Sequence, residues 1–328
     1  MSKVAVTGGA GFLGSHIVKQ QLSKKNDVVI IDNFSSGFRE NLSDLGSNQE
    51  CVVGDLRDYE FAKKAIAGAD TVFHFAAEVG SVQYLHGSAA RELAALQANL
   101  VIDANVFKAC QENKVNTIIY ASSVSVYPFE KQLGADAVFK EDDATKIVNP
   151  EGGYGWSKFL GEIQLNLMPD VSVGVARIFH AYGENIYLKP DRSQVIASLI
   201  SKAINYPKED FVVWGDGSQR RCFVFIDDVL AALNEIEGYV VRKGNLIANL
   251  GSREEITVKS LAEQIIEISG KEIPLKFDTT KPTGAMSRSP DLDKIKHELG
   301  WVPKNSFSDG LLRTYKWAEK RLATKDWE

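Results

Sequence analysis

Two stretches of the chain hold side chains able to move a proton and grip a reacting oxygen. Ser122-Ser123-Val124-Ser125-Val126-Tyr127-Pro128 puts three serine hydroxyls behind the apolar run 116–121, and Tyr154-Gly155-Trp156-Ser157-Lys158 comes later. Tyr154 and Lys158 stand four apart, so on a helix they share one face. A tyrosine hydroxyl has an unperturbed pKa of about 10, too high for a general base at neutral pH, and an adjacent ammonium favours the phenolate. Lys158 can supply that charge. Ser123 then donates to the oxygen of a substrate alcohol while Tyr154 takes its proton. An alcohol oxidised in this way also loses a hydride, so the chemistry calls for an acceptor.

The start of the chain provides for one. Lys3 to Thr7 is a β-branched run, Gly8-Gly9-Ala10-Gly11-Phe12-Leu13-Gly14 follows, and Ile17, Val18 and Leu22 then recur at helical spacing. Strand, glycine turn and helix in that order bring bare backbone N–H groups to a helix N-terminus, where a pyrophosphate is favoured. Gly8 and Gly11 leave room for it, with Phe12 and Leu13 beside them, and Gly14 lets the helix pack on the strand beneath. A second apolar run, Val28 to Ile31, ends in Asp32, placed to accept hydrogen bonds from a ribose 2′-OH. A 2′-phosphate would be repelled there, so NAD is expected rather than NADP. Asn33, Phe34, Ser35 and Ser36 form a polar turn able to wrap the adenosine, and Asp55 with Leu56 can meet the adenine amino group. Phe75, Ala76 and Ala77, then Glu78, Gly80 and Ser81, end a further strand with small residues over which a dinucleotide can lie close. Asn99 interrupts the apolar face of a long helix at 89–111 and can reach the cofactor. Ser122, Tyr154 and Lys158 complete the expected cofactor contacts, Lys158 holding the nicotinamide ribose.

Strands at 3–7, 28–31, 50–53, 71–75 and 116–121 alternate with helices, which argues an α/β doubly wound parallel sheet with right-handed crossovers. The second half changes rhythm, with helices at 194–205, 257–269 and 307–322 and short extended runs at 211–214 and 274–277. Residues 223–226 and 246–250 are expected to return to the main sheet. The 328 residues carry 25% charged side chains and a net charge of −5, so no basic stripe suggests nucleic acid. Three cysteines without C-x-x-C spacing fit a reducing cytosol with neither disulfides nor zinc. No apolar run reaches the length of a membrane span, so a cytoplasmic protein without a signal peptide is expected.

With these motifs in order, the chain resembles the extended short-chain dehydrogenase/reductase family, and within it the NAD-dependent nucleotide-sugar epimerases and dehydratases. The likeness is strongest to the GDP-mannose 3,5-epimerase branch, through Tyr120-Ala121-Ser122-Ser123 with Tyr127-Pro128, Lys131-Gln132-Leu133, Arg177 with Tyr182-Gly183, Trp214 to Gln219, and Phe225 to Asp228. The resemblance implies a Rossmann-type NAD-binding domain over residues 1–178 plus about 223–250, and a smaller α/β nucleotide-sugar-binding domain over 179–222 and 251–328. It also implies a homodimer. Ser123, Tyr154 and Lys158 become the catalytic trio, with Ser125 and Lys189 acting on the sugar. Glu78, Gly80, Ser81, Ser123, His180, Lys189, Trp214, Arg221 and Arg288 contact a GDP- or UDP-hexose, Arg221 gripping a phosphate and the 283–289 loop closing over the nucleotide. The implied reaction oxidises C4, changes stereochemistry through the ketone and returns the hydride. A UDP-sugar 4-epimerase, or a 4-dehydrogenase or reductase, would use the same trio. Two departures bear on this choice: Ser125 stands where 3,5-epimerases have cysteine, and His180 where the family usually has asparagine. A serine hydroxyl needs an adjacent base to deprotonate carbon, and His180 or Lys189 is the expected substitute. No carboxylate follows Ser123 directly, which argues against dehydration.

Overall fold

The computed structural model describes residues 1–45, 51–134, 136–281 and 283–324. Seven strands form the main sheet: β1 (Lys3–Thr7), β2 (Asp27–Asp32), β3 (Cys51–Val53), β4 (Thr71–His74), β5 (Thr117–Ser123), β6 (Ser172–Ile178) and β7 (Leu246–Leu250). They lie in the order β7-β6-β5-β4-β1-β2-β3, and every neighbouring pair is parallel. Parallel neighbours require crossovers. Among the helices that supply them are α1 (Phe12–Ser23), α2 (Tyr59–Ala65), α3 (Ala89–Glu112) and α4 (Gly152–Asn166). The strand order reverses direction between β1 and β4, and a crevice opens at the carboxyl ends there.

Alternation along the strands divides the core into two layers. Val4 and Val6 of β1 pack with Ile17 and Val18 of α1, whereas Ala5 between them joins Val72, Ile118 and Val106 on the other face. The first layer continues into the second half of the chain, through α5 (Val195–Asn205), α6 (Ile226–Lys243), α7 (Val258–Ser269) and α8 (Phe307–Ala323). The second half of the chain therefore shares a core with the main sheet.

Several expectations shift in detail. The third strand begins at Cys51; Glu50 lies outside the described residues. Strand β5 runs on through Ser122 and Ser123, so these hydroxyls sit on the sheet itself. Strand β6 was not anticipated from the sequence. Residues 246–250 do form the edge of the main sheet, but Val224–Phe225 pairs with Ala181–Tyr182 in a separate two-stranded sheet and Ile226 opens α6. Asp227 and Asp228 occupy the first turn of that helix, where negative charge is favoured. Asp228 also accepts backbone hydrogen bonds from Lys304 (2.9 Å) and Asn305 (3.1 Å).

Candidate active site

The crevice at the carboxyl ends is a cleft of about 850 Å³ running from the glycine turn to Arg288. At its first end Gly8 has φ +65°, and a Cβ there would lie 2.8 Å from the Ala76 nitrogen. A Cβ on Gly14 would come within 2.1 Å of the Gly8 carbonyl oxygen, so this glycine lets α1 pack on the turn itself rather than on the strand. Gly11 caps α1 with no side-chain hydrogen bond, and a Cβ on it would meet only the Gly8 oxygen. The orphan amides of α1 therefore face the cleft across bare backbone, a cradle that fits a pyrophosphate.

Asp32 lines this end, buried, and its carboxylate is already used: Oδ2 accepts from the Ala10 N–H (2.8 Å) and Oδ1 from the Phe34 N–H (2.7 Å). Burial raises its pKa while those backbone bonds pull it down. A carboxylate has further lone pairs, so ribose hydroxyls can still add to it. Asn33, Ser35, Ser36, Leu56, Phe75, Ala76 and Ala77 line the cleft as expected of an adenosine pocket. Asp55 does too, but the Arg57 guanidinium engages its carboxylate and holds it below the usual range. Phe34 does not line the cleft; its backbone takes a left-handed φ of +57° to reach Asp32, and its ring lies under Arg39. Asn99 does not line it either. Fully buried, its side chain accepts from the Glu78 N–H (2.6 Å) and donates to the Glu78 carbonyl (3.0 Å), fixing the loop after β4. Ser122 borders the cleft yet donates to Glu162, which is paired with Arg177 at 2.7 Å.

At the catalytic end, β5 and α4 bring Ser123, Tyr154 and Lys158 into the cleft wall. Burial pushes the Tyr154 phenol up to about 12, and the nearby Ser123 hydroxyl opposes that rise. The Lys158 ammonium lies 4.5 Å from the Tyr120 ring centroid. Burial lowers its pKa, and the Asp103 and Glu162 carboxylates counter this. Beneath it runs a relay of buried groups: Thr7 to His74 (2.6 Å), His74 to Asp103 (3.0 Å) and Tyr120 to Asp103 (2.6 Å). His74 is thus a partnered core histidine.

The sugar-side expectations divide. His180, Arg221, Arg288 and Trp214 line the cleft. His180 takes φ +42° and its Nε2 is buried with no hydrogen-bond partner. Burial, then Arg221 and Arg288, press its pKa well below that of free histidine, so the ring is neutral. Burial and the neighbouring Arg288 also lower Arg221, to about 9, which leaves it charged at neutral pH. Lys189 is not among the cleft residues; its ammonium lies 5.5 Å from the Phe38 ring centroid. Glu78 is tied to Tyr84 and, at 3.1 Å, to Arg192; Ser81 caps the short helix Val82–His86, and Gly80 borders the cleft beside it. Many further cleft residues were not anticipated, among them Arg57, Arg192 and Glu151. Glu151 accepts a hydrogen bond from the Ser125 hydroxyl at 3.1 Å and pairs with Arg288. The fold therefore supplies beside Ser125 the carboxylate that the local sequence lacks, and the argument against dehydration loses its basis. Its signal was available: Glu151 precedes Tyr154 by three, one helical turn.

A family model described as "NAD dependent epimerase/dehydratase family" matches residues 4–237. GDP-mannose 3,5-epimerase 1 of Oryza sativa subsp. japonica is 29% identical over 323 residues, 98% of this chain and 82% of that protein. UDP-glucuronic acid decarboxylase 1 of Arabidopsis thaliana is 28% identical over 335 residues, covering 99% and 71%. Among solved structures, UDP-glucose 4-epimerase of Thermotoga maritima with UDP-glucose superposes with a TM-score of 0.84 at 25% identity, covering 98% of this chain and 99% of that one.

Proposed function

The chain belongs to the NAD-dependent epimerase/dehydratase family, and on that footing we propose that it is a nucleotide-sugar epimerase working through a transient 4-keto hexose, in the manner of a GDP-mannose 3,5-epimerase. The observation that carries this reading is the meeting of Ser123 from β5 with Tyr154 and Lys158, one helical turn apart on α4, on one cleft wall. NAD is the cofactor, and when bound it supplies the hydride acceptor. Gly8, Gly11, Phe12, Leu13 and Gly14 would hold its pyrophosphate, and Asp32 its adenosine ribose. Tyr154 takes the proton of the C4 hydroxyl while Ser123 donates to the same oxygen, and both reverse these roles when the ketone is reduced. With its pKa at about 12 the Tyr154 hydroxyl is protonated at neutral pH, and it takes the substrate proton only as the phenolate, which positive charge beside it would favour. Arg221 and Arg288, as planar forks, suit the two phosphates of the substrate, and Trp214 offers a face to the base.

Ser125 in place of cysteine favours a second reading, a UDP-sugar 4-epimerase, which inverts only the carbon it oxidises. Incubation with GDP-mannose and UDP-glucose in D₂O, followed by NMR, separates the two: deuterium at C3 or C5 is expected for the first, inversion at C4 without it for the second. Asp32→Ala is expected to lower the preference for NAD over NADP in a binding titration; an unchanged ratio of affinities would remove the ribose from that carboxylate. We assign residues 179–222 and 251–328 to the sugar-nucleotide side. A cytoplasmic homodimer is part of the reading. Leu93 and Val101 on α3, with Ile163 on α4, are exposed where two such helix pairs would meet. Three free cysteines suit a reducing compartment, and among the described residues no helix is long and apolar enough to cross a membrane.

A further inference from the structure

The reaction proposed above needs a base for carbon as well as one for oxygen, and the candidates drawn from the sequence are poorly suited. Lys189 lies outside the cleft lining, and His180 is a neutral ring that burial and two arginines keep from gaining a proton. Of the glutamate and aspartate side chains along the cleft, Asp32 is clamped by backbone at the adenosine end, Asp55 is paired with Arg57, and Glu78 is tied to Tyr84 and Arg192. Asp191 is exposed, beside Tyr187 and Arg192. Of these five cleft carboxylates Glu151, itself paired with Arg288, is the one that stands at the Ser123–Tyr154 end: it caps the helix that carries Tyr154, and Ser125, whose N–H donates to the Ser123 hydroxyl at 3.2 Å, donates its own hydroxyl to it at 3.1 Å.

That contact is built into the backbone. The Glu151 N–H donates to the Ser125 carbonyl at 2.8 Å, and a Cβ on Gly155 would come within 2.3 Å of that same carbonyl oxygen. Glycine at 155 is what lets the helix and the Ser125 turn approach so closely. Glu151 is buried, at 8% exposure, yet lines the cleft, and Arg288 binds the oxygen that Ser125 also reaches.

We propose that Glu151, acting through Ser125, is the base that removes the carbon-bound proton next to the C4 ketone. This rests on the C4 oxidation proposed above. The ketone acidifies C3–H and C5–H. Ser125 Oγ accepts the proton from carbon as its own proton passes to Glu151; the C–H pair becomes the enolate double bond and the carbonyl pair moves onto the C4 oxygen. The proton can then return by the same path, or the enolate can take a proton from solvent water on its other face, which inverts the carbon while Glu151 releases the first proton to solvent. No net oxidation occurs in this step. Ser125 thereby does, with a carboxylate behind it, what a cysteine can do alone. Glu151 is in this sense a positioning and proton-storing residue behind the hydroxyl that meets the sugar.

The test compares the wild type with Glu151→Gln, Glu151→Asp and Ser125→Ala in D₂O, with NAD and either GDP-mannose or UDP-glucose. Deuterium at C3 and C5 is read by NMR, and hydride transfer from C4 by absorbance of the reduced cofactor in single turnover. Glu151→Gln is expected to lower deuterium incorporation by at least about 10², with hydride transfer falling at least about tenfold less. Glu151→Asp should recover part of the exchange, and Ser125→Ala should lose it. Full exchange in Glu151→Gln overturns the proposal, as does equal loss of both steps without recovery in Glu151→Asp. A wild type that transfers hydride from C4 but exchanges nothing at C3 or C5 overturns this inference together with the 3,5-epimerase reading and leaves the 4-epimerase reading; full exchange in Glu151→Gln overturns the inference alone, and no hydride transfer from either sugar removes the proposed function with it.

Discussion

Behind Tyr154 and Lys158 runs a network of buried polar groups that all have partners: Thr7, His74, Asp103 and Tyr120 on one side, Ser122, Glu162, Arg177, Tyr127 and Asn249 on the other. Around the expected sugar phosphates the pattern is the reverse, since His180 Nε2, Arg288 Nε and Gln219 Oε1 are buried without any. A buried polar atom left unpaired costs about 1–3 kcal/mol. The first region is complete without a ligand, and ties together the elements that carry Ser123, Tyr154 and Lys158. The second gains its missing partners when a ligand enters that offers an acceptor to the Arg288 Nε–H and a donor to Gln219 Oε1, so part of its stability is deferred to binding.

The largest effect expected from this contrast is on stability, in the complete region. Glu162→Ala leaves Arg177 charged and buried, and should cost about 3–5 kcal/mol, read from denaturant unfolding; a loss under about 1 kcal/mol would show the network to be replaceable. Next comes Tyr154→Phe, which keeps the ring but not the proton acceptor. Turnover should fall by at least about 10² while sugar-nucleotide binding, followed calorimetrically, persists; near-normal turnover would sink the role given to Tyr154. His180→Leu addresses the incomplete region: removing an unpaired polar atom should leave stability unchanged or slightly higher, whereas affinity for the sugar nucleotide should drop roughly tenfold. Lower stability with undiminished affinity would reverse the assignment of the two regions.

The smallest effect is on the pH dependence of unfolding. Tyr154 has a folded-state pKa of about 12, above the value of about 10 expected when unfolded. Its contribution is therefore fully present below about pH 10 and is lost as the pH rises through about 12. Tyr84 and Tyr187, also raised to about 12, act in the same window. Tyr154→Phe should make the fall in denaturation midpoint across that range shallower; an identical slope would place the phenol in water.

What the sequence determined by itself was whatever depends on near neighbours along the chain. The β-branched run before Gly8 and the glycine spacing specify strand, turn and helix, because the φ/ψ preferences and side-chain periods that distinguish the three are set within a few residues. Likewise the four-residue interval from Tyr154 to Lys158 is enough to put them on one helix face, and the alternation of elements is enough for a doubly wound sheet. Tertiary structure decided the encounters between distant segments. Asn99 looked like a polar interruption aimed at a cofactor and instead clamps the Glu78 backbone. Lys189 looked like a sugar contact and lies by Phe38. Ser125 looked unaided, yet packing sets against it a glutamate 26 residues on, itself joined to an arginine 137 residues further. Such meetings follow from how helices and loops pack over the sheet, and periodicity, which reports only which face a residue occupies, has no access to what that face will touch.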